Sequence, residues 1–301
     1  MNKAIPDSSN VCAVIVTHHP DACFASRLEK IALEVDRVII VDNHSSSLEL
    51  ESLQKLLVDG QIDLIVNGEN VGVGTALNQG VEYALAHRYV WGLLFDQDSD
   101  ISVGMLASFA DVCIQHPVLN CLSVIGSNYH DRDSGLSGVT ELQRNSTATW
   151  IRQKSVITSG SLISLAVWQK IGPFREDFFI DGIDHEYCLR SRASGYDVVL
   201  ATKCILAHKI GDNRRVSFLW MSLESSCHSA TRRYYMYRNL VVITKMYWKD
   251  DLSWVVGQNF TALKNFIKII VFEKNRSSKI YNIFVGLVHG VRNQLGARKA
   301  I

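Results

Sequence analysis

Short apolar runs alternate with longer segments of mixed polarity over the first hundred positions. Val11-Cys12-Ala13-Val14-Ile15-Val16-Thr17 is almost wholly apolar, the pattern of a strand buried on both faces. His18-His19-Pro20 ends it, and Ala22 to Glu34 has helical spacing. Arg37 to Val41 predicts a second strand, Leu48 to Val58 a helix and Ile62 to Val66 a third strand. Thr75 to His87 then predicts a helix and Trp91 to Phe95 a fourth strand. This βαβαβαβ alternation predicts a mainly parallel sheet with right-handed crossovers. Farther on, Cys121 to Gly126 reads as a strand and Tyr129 to Thr149 as a mobile polar loop over the site. Val156 to Ser164 reads as a strand kinked at small residues. Tyr196–Leu200 and Cys204–His208 read as a last pair of short strands. Near the end Trp254, Val255, Leu263, Phe266, Ile267, Ile270 and Val271 recur at helical spacing, with Lys264 and Lys268 between them.

Nearly half of the 301 residues are hydrophobic, enough for one large core and an appendage. The net charge of +1 hides an asymmetry. Residues 229–301 hold 13 basic and 3 acidic side chains, against 18 and 27 in the rest. We therefore divide the chain into an acidic body, 1–228, and a basic, amphipathic helical region, 229–301. A basic tail implies an anionic partner, membrane surface or nucleic acid. No nucleic-acid motif accompanies the charge, so none is expected as a partner. Basic amphipathic helices suit a membrane interface, and equally a helical pair packed on the body or in a homodimer. Seven dispersed cysteines without zinc spacing read as free thiols in a reducing compartment. The polar start, Met1 to Asn10, lacks a signal core, and no run of about 18 apolar residues predicts a membrane span. The expected location is cytoplasmic, with peripheral contact at the inner membrane face.

Three of the four strands end in polar clusters: Asp42-Asn43-His44 after the second, Asn67 to Gly74 after the third, Asp96-Gln97-Asp98 after the fourth. The carboxyl ends of parallel strands share one sheet edge, so these clusters should converge there. Asp96 and Asp98, two apart on an extended chain, point the same way. They offer the hard oxygen ligands that Mg²⁺ or Mn²⁺ prefers. An EF-hand is excluded, because its sixth and twelfth positions hold Ile101 and Ala107. A plain acidic turn capping the next helix stays open. Gly72-Val73-Gly74 is no dinucleotide fingerprint, since the third glycine would fall at Leu77, and Gly-Lys-Ser/Thr is missing for a P-loop. The glycines permit close approach of a ligand backbone, and Asn78-Gln79 adds side-chain amides one turn on. Asp181 and Asp184 form a second acidic centre, either favouring the dipole of a helix start or taking a proton from a hydroxyl.

Val16-Thr17, Val41 to Ser46, Asn70 to Gly80 and Asp96-Gln97-Asp98, in that order and spacing, resemble the successive motifs of glycosyltransferase family 2. The pattern is similar to its bacterial rhamnosyltransferase branch and runs from about Val11 to Asn239. The resemblance implies a GT-A type nucleotide-binding α/β domain with a mixed sheet, followed here by C-terminal helices. It implies a nucleotide-diphosphate sugar donor, with Asp42 at the base, Thr17 beside it, and Asn70, Gly72, Gly74 and Asn78 along the nucleotide. Asp96 would meet the ribose, and Asp96 and Asp98 the metal, Mg²⁺ or Mn²⁺. His208 of His208-Lys209-Ile210-Gly211 would complete that metal site, unless it is structural. Aligning on Cys188-Leu189-Arg190 puts Asp184 at the general-base position. Ile183 replaces the family's preceding Glu, which leaves Asp181 as the rival. Arg214 and Arg215 meet phosphate or solvent. Arg232-Arg233-Tyr234-Tyr235 to Arg238-Asn239 is similar to a helix of the family.

The expected activity is an inverting transfer of a sugar, L-rhamnose from dTDP-L-rhamnose by branch resemblance, to a surface-glycan acceptor such as a lipid-linked O-antigen or capsule intermediate. A nucleotidyltransferase acting on sugar phosphates would also place carboxylates and Mg²⁺ at a sheet edge, but needs a Gly-rich basic loop that His18-His19-Pro20-Asp21 does not supply. A non-catalytic glycan- or membrane-binding scaffold would have no use for Asp96, Asp98 and Asp184.

Overall fold

The computed structural model describes residues 4–57, 60–131, 148–208, 213–218, 221–226 and 228–298, the side chains of 129–131, 207–208, 213–218 and 221–226 excepted. β1 (Val11–Thr17) is inaccessible over almost its whole length. It pairs in parallel with β2 (Arg37–Asp42) on one side and β4 (Trp91–Asp96) on the other. β3 (Ile62–Val66) extends the sheet beyond β2. The connections are α1 (Phe24–Ala32), α2 (Ser47–Gln54) and α3 (Val73–Ala86). Ser46 and Glu49 form a capping box at the start of α2, satisfying amides that the first turn leaves unpaired. The parallel βαβ half thus follows the order read from the hydrophobic pattern.

The far half of the sheet is mixed. Its elements are β5 (Asp100–Ile101), α4 (Met105–Gln115), β6 (Leu122–Asp131), β7 (Trp150–Arg152), β8 (Ser161–Ser164), α5 (Leu165–Ile171), α6 (Ile183–Ala193) and β9 (Asp197–His208). The strand order is β3-β2-β1-β4-β8-β6-β9-β5, with β7 on β9. Three boundaries differ from the sequence reading. β6 continues past Gly126 to Asp131, and the rest of the loop read there, 132–147, lies outside the described residues. β8 keeps only Ser161–Ser164 of the longer strand expected. The expected last pair of strands is one strand, β9, which skips register against β6 between Ala201 and Ile205. Thr202, at that bulge, is buried and bonds the carbonyls of Ala148 and Thr149 through its hydroxyl and amide. Its polarity reads as a break in sequence but serves a bulge inside a strand.

Alternate residues of the central strands feed two cores. Val11, Ala13 and Ile15 pack with α1 and α4, while Cys12, Val14 and Val16 pack with α3 and α6. The second core also takes Val242 and Ile243 of α7 (Ala230–Tyr247) and Trp254 and Val255 of α8 (Leu252–Phe272). The basic C-terminal region is therefore docked on the body. Asp251 caps α8 by accepting from the Trp254 amide at 3.0 Å. It also ion-pairs Lys154 at 2.9 Å and Arg192 at 2.5 Å. Burial opposes that charge, yet the bonds from Arg192 and Lys154 hold the carboxyl well below the usual range. α9 (Arg276–Val291) lies along α7, where Gly286 and Gly290 let it approach the carbonyls of Tyr234 and Arg238. A hairpin, β10 (Asn213–Phe218) and β11 (Met221–Ser226), precedes α7 and was not foreseen.

The strongest tie between α7 and the body is polar. Arg238 and Asn239 are both 1% exposed. Arg238 donates to the carbonyls of Phe178 at 2.8 Å, Asp177 at 3.1 Å and Gly296 at 2.7 Å. The Asn239 amide donates to Phe178, Ile180 and Asp181 carbonyls at 3.1, 2.9 and 2.7 Å. Removing such a donor leaves buried carbonyls unsatisfied. Asn239→Ala is expected to lower stability by about 1–3 kcal/mol, read as a reduced urea midpoint with an unchanged slope.

Candidate active site

β1 and β4 are neighbours although β2 and β3 lie between them in sequence, so connections leave the sheet in opposite directions there. Such a switch point opens a crevice at the carboxyl ends of the strands. In this chain it is a cleft of about 1060 Å³. Thr17, His18, Asn43, Asn70 and Gly72 line it, together with Asp96, Gln97 and Asp98 and the stretch Asp181 to His185. Ser229, Arg232 and Arg233 of the α7 start, and Trp254, Gln258, Thr261 and Asn265 of α8, complete the wall.

Small polar side chains fix the strand ends. Asp42 is fully buried, and its carboxylate accepts from the Thr17 hydroxyl at 2.9 Å and from the Ser45 amide and hydroxyl at 2.8 and 2.5 Å. Asn43 accepts the Val71 amide at 2.9 Å and donates to Asn70 Oδ1 at 3.0 Å, joining the β2 end to the glycine loop. Gln97 accepts the His18 amide at 2.6 Å and donates back to the His18 carbonyl at 3.1 Å. Arg27 donates to the Gln97 carbonyl at 2.9 Å. The turn that carries Asp96 and Asp98 is thereby tied to the end of β1.

The glycine loop meets protein on its inner side. Gly72 has φ of +87°, and a Cβ there would lie 2.7 Å from the Phe179 carbonyl oxygen. A Cβ on Gly74 would lie 2.5 Å from the Arg175 carbonyl oxygen. The Val73 amide donates to the Phe179 carbonyl at 2.7 Å. Asn78 is 2% exposed; it accepts the Phe174 amide at 2.9 Å and donates to the Phe174 carbonyl and Glu176 at 3.0 and 2.9 Å. The glycines thus admit the 174–179 segment, which sets the acidic turn opposite Asp96 and Asp98.

That turn is tightly wound: Phe179, Asp181 and Gly182 all have positive φ, at 65, 64 and 81°. Asp181 pairs with Arg232 at 3.1 Å. Burial pushes its carboxyl up from the ordinary value, with the Arg232 charge opposing. Asp184 is the second residue of α6, and its Oδ1 accepts the following His185 amide at 2.8 Å. His185 bonds Ser155 at 3.1 Å and meets Trp254 edge-on. Behind the turn, buried Glu186 holds Arg190 at 2.9 Å and the Tyr247 hydroxyl at 2.8 Å. Burial pushes the Cys188 thiol up to about 12, so it is an inert core group.

Of the residues singled out from the sequence, Thr17, Asn70, Gly72, Asp96, Asp98, Asp181 and Asp184 face the one cleft. Asp42, Gly74 and Asn78 stand behind its wall, in the contacts given above. The side chains of His208, Arg214 and Arg215 and the segment 209–212 lie outside the described residues. His18, Asn43, Arg232 and the polar stripe of α8 were missed. Gln258, Thr261 and Asn265, spaced by three and four in an apolar helix, were the legible signal for that stripe.

Among the described residues no three His, Cys, Asp or Glu side chains gather as a metal cluster. Two cleft carboxylates, Asp96 and Asp98, nevertheless fit a divalent ion of the Mg²⁺ type. Such ions are held by one or two carboxylates and complete their shell with waters and substrate phosphates.

Comparison with known proteins bears on the family and the fold. The model of Glycosyl transferase family 2 matches residues 14–166, half of the chain. A dTDP-rhamnosyl transferase, RfbF, of Shigella flexneri is 26% identical over 306 residues, covering 96% of this chain and 98% of its own. The structure of S. aureus TarS 1-349 in complex with UDP-GlcNAc superposes with a TM-score of 0.63 at 14% identity, over 94% of this chain and 81% of that one. The mannosyltransferase PcManGT from Pyrobaculum calidifontis, in complex with GDP-Man and Mn²⁺, gives 0.60 at 11% identity, over 98% and 91%.

Gly72 and Gly195 both have positive φ, but only Gly72 faces backbone; a Cβ at Gly195 meets nothing. Gly72→Ala is expected to cost about 3 kcal/mol and Gly195→Ala about 1 kcal/mol, compared by urea unfolding.

Proposed function

Because the chain belongs to glycosyltransferase family 2, we propose that it moves L-rhamnose from dTDP-L-rhamnose to a hydroxyl of a surface-glycan acceptor with inversion. The similarity to the Shigella dTDP-rhamnosyl transferase supports the donor. The observation that supports the mechanism is that Asp96, Asp98 and Asp184 line one cleft. A sugar held between them has its leaving diphosphate at one pair of carboxylates and its anomeric carbon toward the other centre. Asp184, whose carboxylate accepts a local amide bond from His185, accepts the acceptor's hydroxyl proton. Asp181 is committed to Arg232. The acceptor oxygen forms its bond to the anomeric carbon as the bond to the diphosphate oxygen breaks, and that oxygen keeps the electron pair. Attack opposite the leaving group, with no bond between sugar and enzyme, inverts the centre. Asp96 meets the ribose, with Asn70, Gly72 and Thr17 along the nucleotide and Asp42 buttressing Thr17 toward the base. Asp96 and Asp98 hold Mg²⁺ or Mn²⁺, which when bound offsets the charge of the departing diphosphate.

The acceptor, in this reading, is lipid-linked and met at the cytoplasmic face of the membrane. α8 has two opposite stripes. Gln258, Thr261 and Asn265 look into the cleft. Val256, Phe260, Leu263, Ile267 and Val271 are each at least half exposed on the outside. Lys264 lies over the Phe260 ring at 4.4 Å and Lys249 over Trp248 at 5.2 Å. α9 adds exposed Tyr281, Phe284 and Val288. An apolar face studded with lysines fits an anionic lipid surface. No helix among the described residues is long and apolar enough to cross a membrane.

Two measurements test these readings. Binding and hydrolysis are measured on dTDP-, UDP- and GDP-sugars with and without Mg²⁺ or Mn²⁺. Metal-dependent selectivity for dTDP-rhamnose is expected, lost in Asp98→Ala. Asp184→Asn is expected to retain binding but lose about 10²–10⁴-fold in turnover. Selectivity for another sugar nucleotide would sink the rhamnosyl assignment. In sedimentation with vesicles, the protein is expected to bind phosphatidylglycerol-containing vesicles more strongly than pure phosphatidylcholine. Phe260→Glu with Ile267→Glu should abolish this. A stable dimer split by the same pair of changes would make the face a subunit interface instead.

A further inference from the structure

The cleft that must receive a doubly charged leaving group is lined by four described carboxylates, Asp96, Asp98, Asp181 and Asp184. Its described lining contains no lysine and two arginines, 232 and 233. Arg233 is locked in place, its side chain 2% exposed and bonded to an equally buried Glu273 at 2.9 Å, which Lys279 holds at 2.5 Å. His228, also in the wall, is pushed down to about 4 by burial and by the charges of Arg232 and Arg233. It is therefore neutral at pH 7 and brings no charge. Arg232 differs from both. Its side chain is 45% exposed, and its guanidinium rests on Asp181 with Nε at 3.2 Å and Nη2 at 3.1 Å. Asp96 and Asp98 also lie within reach of its charge. Asp181 is held beneath it by a left-handed backbone whose carbonyl is pinned by Asn239.

We propose that Arg232 binds the diphosphate of the donor, and that Asp181 is the resting partner that holds its guanidinium at the cleft wall until the diphosphate takes its place. This rests on the donor reading above. A guanidinium presents a planar fork that matches two phosphate oxygens at once. One resting on a carboxylate at the cleft wall moves to a diphosphate by rotation of its side chain alone. The site then has a protein cation for the leaving group, independent of the metal.

The test titrates dTDP and dTMP into the full chain by calorimetry, in Mg²⁺ and in EDTA. The proteins are wild type, Arg232→Gln, Arg232→Lys, Asp181→Asn and the double variant Arg232→Gln/Asp181→Asn, each checked for folding by thermal unfolding. Arg232→Gln is expected to weaken dTDP binding about tenfold to hundredfold, the worth of a charge-assisted bidentate contact. It should shift dTMP less than about threefold, and the loss should persist in EDTA, with Lys restoring part of it. Asp181→Asn is expected to tighten dTDP binding about threefold by releasing the guanidinium, and to change nothing further once Arg232 is Gln. Equal weakening of dTDP and dTMP, an unchanged dTDP affinity, or an Asp181→Asn effect that survives in the double variant would each overturn the proposal. If wild type prefers UDP or GDP, the donor assignment fails alone, and the same comparison with that diphosphate and its monophosphate decides the role of Arg232. If wild type binds no nucleoside diphosphate, both fall.

Discussion

The site depends on a set of buried hydrogen bonds far from it in sequence. Arg238 and Asn239 of α7 satisfy the carbonyls of residues 177, 178, 180 and 181. A turn with three positive-φ residues in four positions is costly to hold, and its carbonyls point into protein rather than water. Without inward donors it would have no reason to keep this shape. With them, Asp181 and the start of α6 are fixed across from Asp96 and Asp98. The other side of the turn is fixed by the glycine loop, where only the absence of side chains lets Val73 reach the Phe179 carbonyl.

The two halves of the cleft are built by different means. One side is the edge of a parallel sheet, where topology alone collects the ends of β1, β2 and β4 and short polar side chains lock them together. The acidic side is irregular chain wedged between α3 and α7. Rigid strands give the first its precision, and dense hydrogen bonding gives the second its own. Both arrangements keep the cleft carboxylates on elements that packing already holds.

Much of this was legible. Continuous apolar runs gave the parallel strands, because burial on both faces leaves a mark that a single sequence shows. The convergence of Asp96, Asp98, Asn70 and Thr17 followed from strand order. The sequence was silent where meaning depends on partners. Nothing in the sequence shows that Asp42 holds Thr17 and Ser45, or that Asn78 holds Phe174 and Glu176. Arg238 and Asn239 belong to a recognisable stretch, but their targets lie about sixty positions upstream. Thr202 looked like a break in a strand because a bulge and a loop use the same residue types. The amphipathic reading of α8 found its apolar stripe and passed over the polar one, although both were in the spacing.

The tail also closes on itself through residue 296. The Gly296 carbonyl accepts from Arg238, and its amide donates to the Asp177 carbonyl at 2.7 Å. The 177–182 turn is therefore finished by segments that leave the ribosome long after it does. A nascent chain that has just released α6 already holds β1 to β4 and the carboxylates at their ends. It still lacks the donors that shape the opposite side. During synthesis the strand ends that carry Asp42, Asp96 and Asp98 precede the C-terminal segments that shape the 177–182 turn, so translation itself sets the order in which the parts of the cleft become available.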